Sequence, residues 1–411
     1  MRWSAHWPDI TRRPAAKDNA ACPGNAIEVR WSLQVLVNER ETLERFLPGL
    51  DAKLAEMPFT ALESRETQGI AAFRAAGGVR LLIPEEHRGL GASPVDAIRI
   101  QRALGARSPS LAVASTMHHF SAATMLELWK LEHGLEWMLL QAIGEGKLML
   151  ASGFAEGVRG QGVLTPTMQG RRADDGGVVI SGTKKPCSLS RSMDLLTASV
   201  IIKGDGQDQP DEFAVALVPA TAEGVTIEPF WGTHILAGAE SDAVTLTDVK
   251  VESDLIVTMG GSDIAALDRV ETAGFLWFTL LISASYIGMA SGLAERVLSD
   301  ARKDPGARVA VAMELETAMA GLEGIGTRLA ADDTSAELLT RALLCRYAAQ
   351  DAISRAVAIA VEQLGGMEFI RGDEVSYFAS ASRALSFHPP GRSKNRETLA
   401  TALGGGDLII S

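Results

Sequence analysis

Apolar positions recur along the chain with two different periods. Over residues 27–146 the spacing is helical: Leu43, Phe46, Leu47, Leu50 and Leu54 fall three and four residues apart, and Pro48 is placed to break or kink that stripe. Pro84, Gly89 and Gly91 open a loop, after which helical spacing resumes over 95–104 and 121–131. Over 147–261 the texture changes to short β-branched runs at 178–180, 195–202, 213–218, 225–227 and 244–251, parted by turn clusters such as Asp174-Asp175-Gly176-Gly177. Short strands at that spacing predict an antiparallel β-barrel or sandwich rather than βαβ units. Beyond 262 helical periodicity returns, with a long apolar-periodic helix over 338–364 closed by Gly365-Gly366. The pattern therefore predicts an α+β chain in four parts: a loosely ordered extension (1–26), an N-terminal α-helical domain (27–146), a middle β domain (147–261) and a C-terminal helical domain (262–411).

Residues 274–293 carry no charge, and a run of 20 such residues is long enough to cross a bilayer. The run stands alone, and its second half is rich in Ser, Ala and Gly, so a buried bundle helix is expected and no membrane partner. At 411 residues, 46% hydrophobic and 22% charged, the chain has the composition of a soluble globular protein with two or three packed units. A net charge of -12 lacks the basic footprint that nucleic-acid binding needs. Cys22, Cys187 and Cys345 are few and far apart, which points to a reducing cytoplasm rather than a disulfide scaffold. The first 25 residues contain no continuous apolar segment and so do not read as a secretory signal.

Common chemical motifs are absent: no GxGxxG follows a strand, and no Walker loop, HExxH, paired-cysteine spacing or nucleophile elbow occurs. His118 and His119 are adjacent and cannot both face one site on a helix. His6, His87, His133 and His234 are isolated.

An ordered set of weaker elements carries more information. Residues 83–91 read IPEEHRGLG, 150–156 read LASGFAE, 181–185 read SGTKK and 248–251 read DVKV; Arg302 precedes Gly306, and 362–366 read EQLGG. In this order and spacing, over roughly residues 40 to 405, the chain resembles the acyl-CoA dehydrogenase superfamily. The resemblance implies an FAD-dependent oxidoreductase whose C-terminal domain is a four-helix bundle, assembled as a homotetramer or homodimer. It implies that Ala155 and Ser188 lie beside the flavin ring. Arg302, Gln363, Gly365 and Gly366 would hold the pyrophosphate and adenosine of FAD, partly across a subunit boundary. A guanidinium fork suits a diphosphate, and glycines let the backbone approach it.

The departures from the family pattern concern chemistry. A tryptophan that flanks the flavin is replaced by Pro186, the family's phenylalanine after the arginine by Pro305, and Met313 stands near an expected glutamine. The two positions at which the family places its catalytic carboxylate fall at Pro390 and Phe278, neither of which can accept a proton. His388 adjoins the gap and becomes the candidate catalytic residue, since imidazole can act as acid or base near neutral pH. Glu156 and Glu368 are the nearest carboxylates in motif regions.

Three functions compete. The leading expectation is oxidation of an acyl thioester, on CoA or a carrier protein, with electrons passed to an electron-transfer flavoprotein. The alternative is a monooxygenase of the same fold that uses reduced flavin from a flavin reductase and O₂. It needs no α-proton base. The third is a vestigial flavin-binding protein.

Overall fold

The structure, a computed structural model, describes residues 35–132, 136–157, 166–204, 210–258 and 264–410. The expected N-terminal extension, Cys22, His6 and His133 lie outside the described residues.

Helices come first. α1 (Val37–Phe46) and α2 (Leu50–Glu56) are two helices rather than one, because Pro48 and Gly49 (φ 77) separate the apolar stripe that the sequence runs through both. α3 (Phe59–Glu63) and α4 (Gly69–Ala75) follow. α5 (Pro94–Arg107) starts on a capping box: the Ser93 hydroxyl accepts from the Asp96 amide while the Asp96 carboxylate accepts from the Ser93 amide, and Pro94 takes the first helical position. α6 (Pro109–Glu132) and α7 (Glu136–Gly146) complete this set.

Eight strands occupy the middle: β1 (Leu150–Gly153), β2 (Gln169–Arg172), β3 (Val178–Cys187), β4 (Leu195–Lys203), β5 (Glu212–Pro219), β6 (Val225–Glu228), β7 (Asp242–Val251) and β8 (Ile256–Thr258). They form one sheet in the order β6-β7-β3-β2-β4-β5-β8, with β1 also on β4. Most pairs are antiparallel, as the alternating runs predict, including the long β4–β5 ladder from Leu195↔Pro219 to Ile202↔Glu212. The exceptions are β1 and β2, which run parallel to β4 and share its edge end to end. The short strands β2 and β8 escape a periodicity reading because three or four residues hold too little alternation to register.

The remaining helices are α8 (Ile264–Ser299), α9 (Pro305–Ala330), α10 (Ala336–Leu364), α11 (Gly366–Arg371), α12 (Asp373–Ala381) and α13 (Arg396–Leu403). Caps set the bundle's corners: Asp304 accepts from the Ala307 amide ahead of Pro305, Ser335 caps α10 through the Leu338 amide, and Gly365 ends α10 at φ 83, where a side chain would be strained. α8 carries the uncharged run. Within Arg269–Ser299, 94% of the most apolar window is buried in the fold, against α5, α6, α9 and α10. One buried cation ties the helices: Arg102 on α5 donates to Glu39 of α1 (2.7 Å), Ser291 of α8 (3.0 Å) and Glu316 of α9 (2.5 Å).

Candidate active site

The helical and stranded parts meet around a cavity of about 490 Å³. Each wall follows the period of its element. On α6, Met117, Phe120, Ser121, Thr124 and Leu128 face inward at helical spacing. On β5 it is every second residue: Phe213, Val215 and Leu217. On α8, Glu271, Gly274, Phe275 and Phe278 line it at i, i+3, i+4 and i+7. Gly274 lets α6 and α8 close up here, since a β-carbon would lie 3.1 Å from the Thr124 hydroxyl. The segment after β1 supplies Phe154, Ala155 and Glu156. The end of β3 supplies Pro186 and the turn after it Ser188, and the loop before α13 supplies Phe387, His388 and Pro389.

Thus the structure brings Ala155, Ser188 and His388 together. The Ser188 hydroxyl lies 2.9 Å from that of Ser241, a second polar group on the same wall. Arg302, Gln363, Gly365 and Gly366 gather elsewhere, on the surface: Lys303 Nζ donates to the Gln363 carbonyl (2.7 Å) and the Asp304 amide to Gln363 Oε1 (3.3 Å). The Arg302 fork is held by Asp300 at 2.9 and 3.0 Å, and none of the four lines the cavity.

Glu156 faces the cavity but is committed elsewhere. It accepts from Lys184 Nζ (2.6 Å), the Thr167 hydroxyl (2.5 Å) and the amides of Thr167 and Met168. Burial raises its pKa, but these donors outweigh burial and bring the carboxyl down to about 2. It is therefore no proton acceptor at neutral pH. Glu368 is exposed on α11, away from the cavity.

His388 opens onto the cavity and is half-buried. Its Nε2 lies 2.9 Å from the Tyr286 hydroxyl of α8, and its ring meets Phe278 edge-on at 6.3 Å. Burial first, and then the Arg346 charge, push its pKa down to about 3, so the imidazole is neutral. Burial keeps Tyr286 a phenol. The histidine loop hangs from α10: Arg346 donates to the carbonyls of Leu385 (3.3 Å), His388 (2.6 Å) and Pro389 (2.9 Å), and the Tyr347 hydroxyl to that of Pro390 (3.0 Å). Arg346, Tyr347 and Tyr286 escaped the sequence reading. Nothing in a 3.6-residue pattern marks an arginine on a long helix as buried. The family base positions are also located: Phe278 lines the cavity, and Pro390 is buried behind its wall.

Metal chemistry has no foothold among the described residues, where no three ligating side chains cluster. The His118–His119 pair is structural: His118 bridges the Val79 carbonyl (2.9 Å) and the Leu150 amide (3.0 Å), and His119 packs edge-on against Phe73.

A helix–sheet–helix chain with an apolar cavity where its parts meet is the architecture of the acyl-CoA dehydrogenase-like flavoenzymes. KijD3 in complex with FMN and a dTDP-amino-keto sugar superposes with a TM-score of 0.75 at 19% identity, covering 91% of this chain and 95% of that one. Sequence narrows the class. The chain is 40% identical over 374 residues to isobutylamine N-hydroxylase of Streptomyces viridifaciens, covering 90% of this chain and 98% of the relative. It belongs to that protein's family and is a flavin-dependent oxidoreductase. Dibenzothiophene monooxygenase of Rhodococcus erythropolis is 29% identical over 240 residues, 57% of this chain and 56% of the relative. No family profile matches the chain. These relatives overturn the leading expectation of an acyl-thioester dehydrogenase, because they are an N-hydroxylase and a monooxygenase. The sequence carries a physical reason at Pro390 and Phe278: thioester dehydrogenation needs a positioned base, and neither of the two family positions can accept a proton.

Proposed function

We propose that this chain is a flavin-dependent N-oxygenase of small apolar amines. The observation that carries the reading is the match to an amine N-hydroxylase along 98% of that relative's length. The site agrees with it chemically. An amine attacks oxygen through its own lone pair, so no α-proton has to be removed, and the missing carboxylate costs such a reaction nothing.

The cavity fits a flavin ring: its walls are mostly aromatic and aliphatic, and the hydroxyls of Ser188 and Ser241 offer polar contacts on one side. Among the described residues no lysine or arginine lines it, so in this reading the phosphates of the cofactor leave the cavity. When bound, reduced flavin supplies the electrons that activate O₂ for transfer of one oxygen atom to the substrate. Ser188 and Ala155 would hold the ring. His388 and Tyr286 would present a neutral hydrogen-bonding pair at the cavity floor, and Phe120, Phe154 and Phe278 would exclude water. In this reading the cofactor is FAD, delivered reduced by a separate flavin reductase. Its diphosphate is met by Arg302 and the Gln363–Gly366 turn of a second copy in a homotetramer.

The test is turnover. Purified protein given a flavin reductase, NADH, flavin and O₂ should convert primary alkylamines to hydroxylamines, detected by mass spectrometry as a gain of one oxygen. Oxidation of thioethers and aromatic sulfides with no product from any amine would overturn the N-oxygenase reading in favour of sulfur oxygenation.

A further inference from the structure

Arg346 is the anomaly of this fold. Its side chain is fully buried, yet among the described residues no carboxylate pairs with it. The other fully buried cations have one: Arg102 has Glu39 and Glu316, and Lys184 has Glu156. Three backbone carbonyls of the His388 loop satisfy part of its fork, and its Nε has no partner. Carbonyl dipoles solvate a charge but do not cancel it, and a guanidinium stays charged even when burial lowers its pKa to about 10. That charge lies behind the cavity wall: the guanidinium carbon is 5.9 Å from the centroid of the Phe278 ring, and Phe278 lines the cavity.

The groups that face Arg346 are all neutral: Tyr286 of α8, Tyr347 of its own helix and His388 of the loop. Beyond Tyr347, Arg392 is paired with Asp351 at the surface (2.8 Å). In the cavity, Glu156 is neutralised by Lys184, and Glu271 sits two helical turns from Phe278, roughly 10 Å away along α8. Arg346 thus puts a positive charge behind the wall beside His388, and Glu271 lies toward the other end of the cavity.

We propose that Arg346 is a positioning residue that selects the protonation state of the substrate: it fixes the His388 loop and makes the cavity floor repel cations, so that an amine reaches the reaction site only as its free base. This rests on the amine N-oxygenase reading. It supplies what that chemistry demands, because an ammonium ion has no lone pair with which to take oxygen. The proton is left with water before the amine enters, and no residue of the site has to hold it.

Two probes of equal shape separate charge from fit: choline, a permanent cation, and 3,3-dimethylbutan-1-ol, its neutral isostere. By calorimetry, wild-type protein should bind the alcohol on the order of tenfold more tightly than choline, the size expected for one charge at about 10 Å in a partly shielded interior. Arg346→Gln should abolish that preference, and Arg346→Lys should keep it. Equal or tighter binding of choline by the wild type would overturn the proposal even if both variants fail to fold. So would a preference that survives Arg346→Gln. In turnover, kcat/KM for a primary amine should rise tenfold per pH unit below the amine's own pKa in the wild type, and less steeply in Arg346→Gln. If the protein oxidises no amine but prefers the alcohol, and Arg346→Gln loses that preference, the N-oxygenase reading fails while the charge assignment stands.

Discussion

At the scale of single residues, His388, Tyr286 and Tyr347 are all held neutral around Arg346. His388 is neutral at neutral pH, so in the proposed reaction it would act by sharing hydrogen bonds rather than by taking a proton. His388→Ala should lower kcat by about 100-fold, the usual worth of a placed acid–base or hydrogen-bonding group, with an unchanged urea midpoint. A turnover within twofold of wild type would remove His388 from the chemistry. Burial also depresses His118, to about 4, and His119, which His118 pushes further down. The native state thus binds fewer protons than the unfolded chain between roughly pH 4 and 6.5. Their stability is complete above the unfolded value of 6.5 and is lost as pH falls through that window. At pH 5 the loss should be roughly 2 kcal/mol for His118, and His119 adds to it in the same direction. His388 adds to the loss likewise; urea unfolding at pH 7.5 and pH 5 measures the sum, and His119→Phe should reduce the difference.

At the scale of elements, α8 does two jobs. Its outer turns wall the cavity through Glu271, Gly274 and Phe278, while further along it is locked against α5 by paired glycines. A β-carbon on Gly288 would lie 2.2 Å from the Arg102 carbonyl, and one on Gly105 would lie 2.2 Å from the Ser285 carbonyl. Both obstacles are backbone, so neither can swing aside. Gly288→Ala should therefore cost about 3 kcal/mol or more, read as a fall in urea midpoint, and Gly324→Ala, which meets open space, should not. Legibility follows the same divide. The helical stripes, the long strands β3, β4, β5 and β7, and the Gly365 stop were readable because each is a local pattern that its own residues enforce. The α5–α8 lock was not, because a glycine in an apolar run looks the same whether or not another backbone lies against it.

At the scale of the whole molecule, the flavin phosphates and the exposed apolar surface raise one question. Val309 and Met313 on α9, Leu344 on α10 and Met367, Phe369 and Ile370 on α11 stand in solvent, near the Arg302 and Gln363 turns in sequence. Burial of that face against a second copy would carry Arg302 to a neighbour's cofactor. Light scattering should then report a tetramer, and Ile370→Glu a smaller species. Arg302→Ala should weaken FAD by about tenfold, as expected for loss of a charge-assisted fork on a diphosphate, and leave FMN unchanged. Equal affinities of wild type and variant for FAD would place the diphosphate elsewhere.

The sequence by itself determined the order of helices and strands, the superfamily, the loss of both carboxylate positions and the prominence of His388, because each of these is written in neighbouring residues or in spacing. It placed the oxygenase second to the dehydrogenase, since motif breadth counts fold-building residues and says little of the few that set chemistry. Only the tertiary structure decided that Ala155, Ser188 and His388 share one cavity while Arg302 lies outside it. Tertiary packing alone also commits Glu156 to Lys184 and buries Arg346 without a carboxylate. Whether a charge is solvated, paired or left bare depends on what other elements bring to it, and that is fixed by packing rather than by position along the chain.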